Sequence, residues 1–207
     1  MDCGLGNLAT LKTAILPVAN QAETQFDAAL QQIGKGVAGM FDLYCTRDLA
    51  RSVAVEFITP ARRSYVSLPH TPVESVASVS LRSAVASGWV VQSDVIVQLD
   101  QQAGLVDFAA VLGVEDDRIK IVYTGGFWFE IAEPGDVDYP TTQPTGSTAR
   151  PQALLAAWLM QCRAEAVARD VLGTAAVGQE PKGTQLITVE LLPGVRLALE
   201  RYRRFAQ

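Results

Sequence analysis

The chain has 207 residues, 49% of them hydrophobic and 19% charged, and a formal net charge of -5. That is enough apolar material for one proper core with room for a small subdomain, and too much for a disordered chain. The negative balance argues against a protein that grips nucleic acid through its overall field. No apolar run approaches the roughly 20 residues a membrane helix needs. The opening MDCGLGNLATLK lacks the basic and apolar regions of a signal peptide, so a soluble chain folded in the cytosol is expected.

Leu8, Leu11 and Ile15 repeat at spacings of three and four, which predicts a short amphipathic helix stopped by Pro17. Asn20 followed by Glu23 resembles a capping box. Helical spacing then continues through Phe26, Leu30, Ile33, Val37, Phe41 and Tyr44, so residues 20–44 read as one long helix. Gly34, Gly36 and Gly39 weaken such a helix by about 1 kcal/mol each, which close packing against another backbone would explain.

From Ser52 the period becomes alternating. VAVEFI, SYVSL, ESVASVSL, WVVQSDVIVQL, LVDFAAVL and RIKIVYT are rich in Val, Ile and aromatics and are separated by Pro, Gly and acidic turns, which predicts antiparallel strands. Imperfect alternation of Val76, Val79 and Leu81 places a bulge near Ala77. Val122, Tyr123 and Phe127 read as the last core strand, handing over at Gly125-Gly126, where the chain can turn sharply. A long polar loop follows from Phe129 to Arg150, and loops of that length usually have a job or stay loose. Arg150-Pro151 reopens a helix whose apolar face is Leu154, Leu155, Trp158, Leu159, Cys162, Ala166 and Val167, ending near Gly173. LITVELL looks extended, and Pro193 starts a last helix bearing Val195, Leu199 and Tyr202 on one side, with Arg196, Arg201, Arg203 and Arg204 complementing its dipole. Helices, then strands, then helices make an α+β layout, not the alternation of nucleotide-binding sheets. It divides into a helical core (1–52 and 150–207) and an inserted antiparallel β-structured lobe with its long loop (53–149).

The charge is polarised. Residues Ser83 to Pro140 hold ten acidic side chains against Arg118 and Lys120, whereas residues 141–207 hold eight basic against five acidic. Such polarity suits a protein oriented between partners, although ordinary solvated faces would also produce it.

Reactive chemistry has little to build on. His70 is the only histidine, so neither a histidine-based triad nor a two-histidine metal site can be made within one chain, and its proline-flanked turn reads as surface. Cys3, Cys45 and Cys162 are scattered and read as reduced, buried thiols; Cys45 beside Arg47 has no base to activate it. Asp116 with Asp117, and Asp136 with Asp138, are adjacent loop acids of the kind that form turns. The Gly4–Gly6 and Gly125-Gly126 pairs lack the strand-to-helix context of a phosphate loop. No enzyme and no cofactor are expected.

The order of NLATLKTAIL, YCTRDL, VSLPHTPVESVASVSL, IVYTGGF, RPQALLAAWLMQCRAEAV and LLPGVRLALERYRR resembles that of head-tail connector (adaptor) proteins of tailed bacteriophages. The resemblance spans nearly the whole chain and lies in the succession of features, none of which is specific by itself. It implies a structural virion protein of the neck, assembled in the host cytoplasm, that forms a homo-oligomeric ring, often of twelve copies, beneath the portal protein. The ring would pass double-stranded DNA without sequence-specific contact and meet a neck stopper or tail protein on its other side, with no membrane involved. It implies a portal-docking C-terminal segment, here Leu191, Leu192, Pro193, Val195, Leu199, Tyr202, Arg203, Arg204 and Phe205. Loop residues Phe127, Phe129, Asp136, Asp138 and Tyr139 would meet a neighbouring subunit. Two other readings are a neck stopper or tail-terminator protein, and a small metal-dependent hydrolase using Asp136 and Asp138.

Overall fold

The computed structural model describes residues 3–59, 62–83, 87–114, 116–131, 142–169 and 190–204. They form two units: a helical one (Met1–Thr46, Phe129–Thr142, Arg150–Gln207) and a β one (Arg47–Trp128, Gln143–Ala149).

In the helical unit, α1 (Leu8–Ile15) begins where Asn7 Oδ1 accepts from the Thr10 amide at 2.9 Å and the Thr10 hydroxyl at 2.7 Å. Its buried residues are the expected Leu8, Leu11 and Ile15. The long helix α2 (Asp27–Cys45) starts seven residues later than the apolar period predicts, and Asn20 is not its cap. Residues Val18–Asn20 instead make a 3-10 turn, and Lys12 of α1 explains the delay. Its ammonium donates to the Glu23 carbonyl at 2.8 Å and pairs with Asp27 at 2.5 Å, holding the chain outside the helix until Asp27 enters its first turn. α2 ends at Thr46, which is left-handed (φ 54°) and returns its amide to Asp42 and Leu43.

α3 (Gln152–Ala168) packs against α1, α2 and α4 (Pro193–Leu199). Its Trp158 is fully buried and donates its indole N–H to the Gly34 carbonyl at 3.1 Å. Close approach explains two glycines: a Cβ on Gly34 would meet the Cys3 carbonyl at 2.6 Å, and one on Gly6 would meet the Trp158 ring at 2.8 Å. Gly36 and Gly39 face open space, so close packing does not account for them. Cys3, Cys45 and Cys162 are all buried and form no disulfide.

The β unit contains two antiparallel sheets. The first has the order β1 (Ser52–Ile58), β7 (Arg118–Gly125), β3 (Val73–Arg82), β4 (Val90–Gln92); the second has β2 (Arg63–Ser67), β6 (Leu105–Leu112), β5 (Ile96–Asp100). β8 (Phe127–Trp128) pairs in parallel with β9 (Thr148–Ala149). The register of β3 on β7 shifts between Val76 and Ser78, at the expected bulge. WVVQSDVIVQL is not one strand. Asp94 takes a left-handed φ of 54°, and the chain passes there from β4 in the first sheet to β5 in the second.

Alternation then sorts the side chains. Ala54, Ile58, Val79, Ile119, Ile121 and Tyr123 of the first sheet meet Val66, Leu99, Val106, Phe108 and Leu112 of the second in one apolar cluster.

Candidate interaction surfaces

The Gly125-Gly126 handover is a structural joint built around His70. Sequence reading puts His70 on the surface; it is buried instead. Its amide donates to the Tyr123 hydroxyl at 3.1 Å, and its ring Nε2 lies 2.9 Å from the Ala50 carbonyl, which requires the proton on that nitrogen. A Cβ on Gly125 would strike the His70 carbonyl, and one on Gly126, whose φ is +89°, would strike the His70 ring. Burial holds the imidazole below its ordinary value, only partly offset by the bond to Ala50. Nδ1 is buried with no partner among the described residues, so protonation would add an unpaired N–H and a charge. His70 therefore locks a turn.

The other candidate groups are also structural. Burial pushes the Cys162 thiol strongly up, which suppresses the thiolate a nucleophile needs. Asp117 is buried and accepts the Val114 amide at 2.9 Å, a turn-forming role. Among the described residues no three His, Cys, Asp or Glu side chains are grouped as a metal site would need. Asp136, Asp138 and Tyr139 lie outside the described residues.

The C-terminal segment is pinned at both ends within the helical unit. At the near end, buried Gln161 of α3 acts as a surrogate backbone: its Oε1 accepts the Leu192 amide at 2.9 Å and its Nε2 donates to the Glu190 carbonyl at 3.3 Å. At the far end, the Arg204 amide donates to the Cys45 carbonyl at 2.9 Å, and the Thr46 hydroxyl donates to the Arg204 carbonyl at 2.6 Å. The Tyr44 hydroxyl donates to Glu200 at 2.6 Å, a bond that raises the phenol's pKa. Between these points Leu191, Val195 and Leu199 are buried, with Leu192, Tyr202 and Arg204 half-buried. The exposed residues of the segment from Leu191 to Arg204 are Pro193, Gly194, Arg196, Leu197, Glu200, Arg201 and Arg203, of which Arg196 pairs with Glu190 at 2.9 Å and Arg203 with Glu200 at 3.8 Å. Leu197, 76% exposed, was missed because its helical position falls off the apolar stripe. Phe205 lies outside the described residues. Of the expected loop contacts, Phe127 and Phe129 are buried within the chain, which leaves neither exposed as a large contact residue.

Among the described residues, a row of exposed apolar side chains lies on the first sheet of the β unit, and sequence reading did not single it out. The outward positions of β1 are Val53, Val55 and Phe57, at 69%, 47% and 62% exposure. They pair with Thr124, Val122 and Lys120 of β7. Trp89, just before β4, packs its ring 5.7 Å from that of Phe57 and lies under Arg82 (4.8 Å) and Lys120 (5.2 Å).

The chain is thus an α+β protein, and the candidate sites among its described residues are exposed surfaces. No protein-family model and no curated protein matches it. Solved structures do share its fold. A chain in the neck of an empty GTA particle computed with C6 symmetry matches at TM-score 0.65 and 17% identity, over 99% of this chain and 92% of that one. A chain in the virion of a native gene transfer agent (GTA) particle matches at 0.64 and 16%, with the same coverage. A third, in the neck of a native GTA particle computed with C12 symmetry, matches at 0.58 and 20%, over 94% and 91%. The chain has the fold of these virion chains along nearly its whole length.

Proposed function

We propose that this chain is a structural head-tail connector of a phage-like particle: an adaptor that forms a ring under the portal protein, links head to tail and surrounds the DNA passage. The observation that carries the reading is the fold shared, over 99% of the chain, with chains of GTA necks. Twelve copies are the proposed number, since a twelvefold ring is compatible with both the C12 and the C6 symmetry of those particles. The site of action would be the virion neck, after assembly in the host cytoplasm.

Residue chemistry supports the same reading. A DNA passage requires weak contact, because each Lys or Arg that neutralises a phosphate adds salt-dependent affinity. Ten acidic against two basic residues between Ser83 and Pro140 supply repulsion. In the portal-docking role assigned to residues 191–205, Leu191, Val195 and Leu199 would hold the segment in shape. Pro193, Leu197, Arg201 and Arg203 would make the contact, with Tyr202 and Arg204 at its margin. The loop between Phe129 and Arg150, with Asp136, Asp138 and Tyr139, would meet a neighbouring subunit. The two long helices α2 and α3 favour an adaptor over a stopper or tail terminator, in which strand predominates.

Co-sedimentation of the full chain with portal-bearing particles tests this. Binding is expected, weakened by Leu197→Asp and Arg201→Glu with helix content unchanged. Binding only to tail or stopper components would favour the other neck roles. No association with any neck component would overturn the proposal.

A further inference from the structure

We propose that the outward face of the β1-β7-β3-β4 sheet binds the outward face of the β2-β6-β5 sheet of a second copy of this chain. This rests on the ring reading above and says which surfaces would make the ring.

The first face is apolar and cationic. Its outward strand positions include Val53, Val55, Phe57, Val122 and Val91, a row of serines, and Arg82, Arg118 and Lys120, with no carboxylate among them. The second face is mixed. Register places Tyr65, Asp107 and Gln98 side by side across its three strands, beside the Ser67, Leu105 and Asp100 row; the cation of these strands, Arg63, is exposed at the start of β2 beyond a register shift, and Val97 and Val111 are exposed on β5 and β6. Asp100 Oδ1 accepts from the Gln102 and Ala103 amides, so Asp107 is the carboxylate better placed for a partner's cation. Tyr65 (57% exposed) supplies an aromatic anchor opposite the valines and Phe57.

Charge and symmetry favour this pairing over the first face meeting itself. Self-pairing would bring Arg82, Arg118 and Lys120 of two copies together, and like charges juxtaposed at an interface cost several kcal/mol. A face-to-opposite-face contact is also heterologous, which generates a ring when the rotation closes. The inward faces of the two sheets pack on each other, so the outward faces point in opposite directions and copies can stack in series. A turn of one-twelfth per copy would close the series.

Strands about 4.8 Å apart and about 3.3 Å per residue give the first face roughly 400 Å². Burying it against its counterpart removes about 800 Å² in total, less than the roughly 1,200 Å² of stable free-standing complexes. The contact is therefore weak between two free chains and effective in a closed ring.

The test uses the full chain carrying Val55→Cys and Gln98→Cys, treated with a bifunctional thiol reagent at concentrations where it assembles; the three native thiols are buried. A ladder rising in single-chain steps, absent from each single variant, is expected. Lys120→Glu should lower its yield about tenfold, matching the loss of about 1.4 kcal/mol, and Asp107→Lys should restore it. Dimers from Val55→Cys alone would overturn the proposal, because the face would then meet itself. Rings seen by electron microscopy with no ladder would overturn the assignment of faces while leaving the ring reading intact. A chain that forms no ring and enters no particle would overturn both.

Discussion

The C-terminal helix of the helical unit and the first strand of the β unit carry similar apolar residues with opposite fates. Val195 and Leu199 are fully buried within their own unit, whereas Val53, Val55 and Phe57 stand in solvent. Periodicity alone treats both as faces that must be covered. The difference lies in what packs against them. α3 lies against α4 and secures its approach through Gln161, while β1 is an edge strand whose inward alternation already fills the core with Ala54 and Ile58. An apolar face covered within one chain reports on stability; one left open calls for a neighbour.

Substitutions should separate these two roles. The largest effect is expected from Trp158→Ala, which removes a fully buried ring and the bond to Gly34. It should cost about 3–5 kcal/mol in chemical denaturation, and a loss below 1 kcal/mol would mean that the helical unit is not organised around this residue. Gln161→Leu leaves the Leu192 amide and Glu190 carbonyl without their surrogate. A loss of about 1–3 kcal/mol is expected, with faster hydrogen exchange at Leu192; unchanged exchange there would show that the C-terminal segment is held by other means.

A smaller effect should appear with pH. His70 is held neutral by burial, so the unfolded chain takes up a proton first as the pH falls. Its contribution is fully present above the ordinary histidine value of about 6.5 and is lost as the pH falls from there towards its lower folded-state value. The denaturation midpoint of the native chain should drop over that window, and His70→Gln should flatten the drop. An equal slope in both would assign the pH dependence elsewhere. Smallest of all, Phe57→Ser should change the stability of the unassociated chain by no more than about 0.5 kcal/mol. A larger loss would place Phe57 in the core and not on an open surface.

Much of the fold was legible because its determinants are local. The α1 period, the six strand-forming segments, the bulge near Ala77 and the Pro193 helix start all follow from spacing and turn chemistry. The start of α2 was not legible, because Lys12 reaches it from another helix. The splitting of WVVQSDVIVQL was not legible either, because one left-handed Asp94 sends its halves to different sheets. His70 was misread for a related reason: proline neighbours signal a turn, but only the tertiary arrangement places Gly125 against its carbonyl and Gly126 against its ring. The last helix could be placed from sequence by its Pro193 start, though not which of its residues point outward. The open face of β1 could not be found, since exposed and buried valines look alike until strands are paired.

The most direct measurement of the central claim is a side-chain-resolution image of the neck of a particle containing this chain. A closed ring of copies in contact with the portal is expected, with Leu197 and Arg201 at that contact. A neck in which the chain forms no ring, or forms one that never touches the portal, would contradict it.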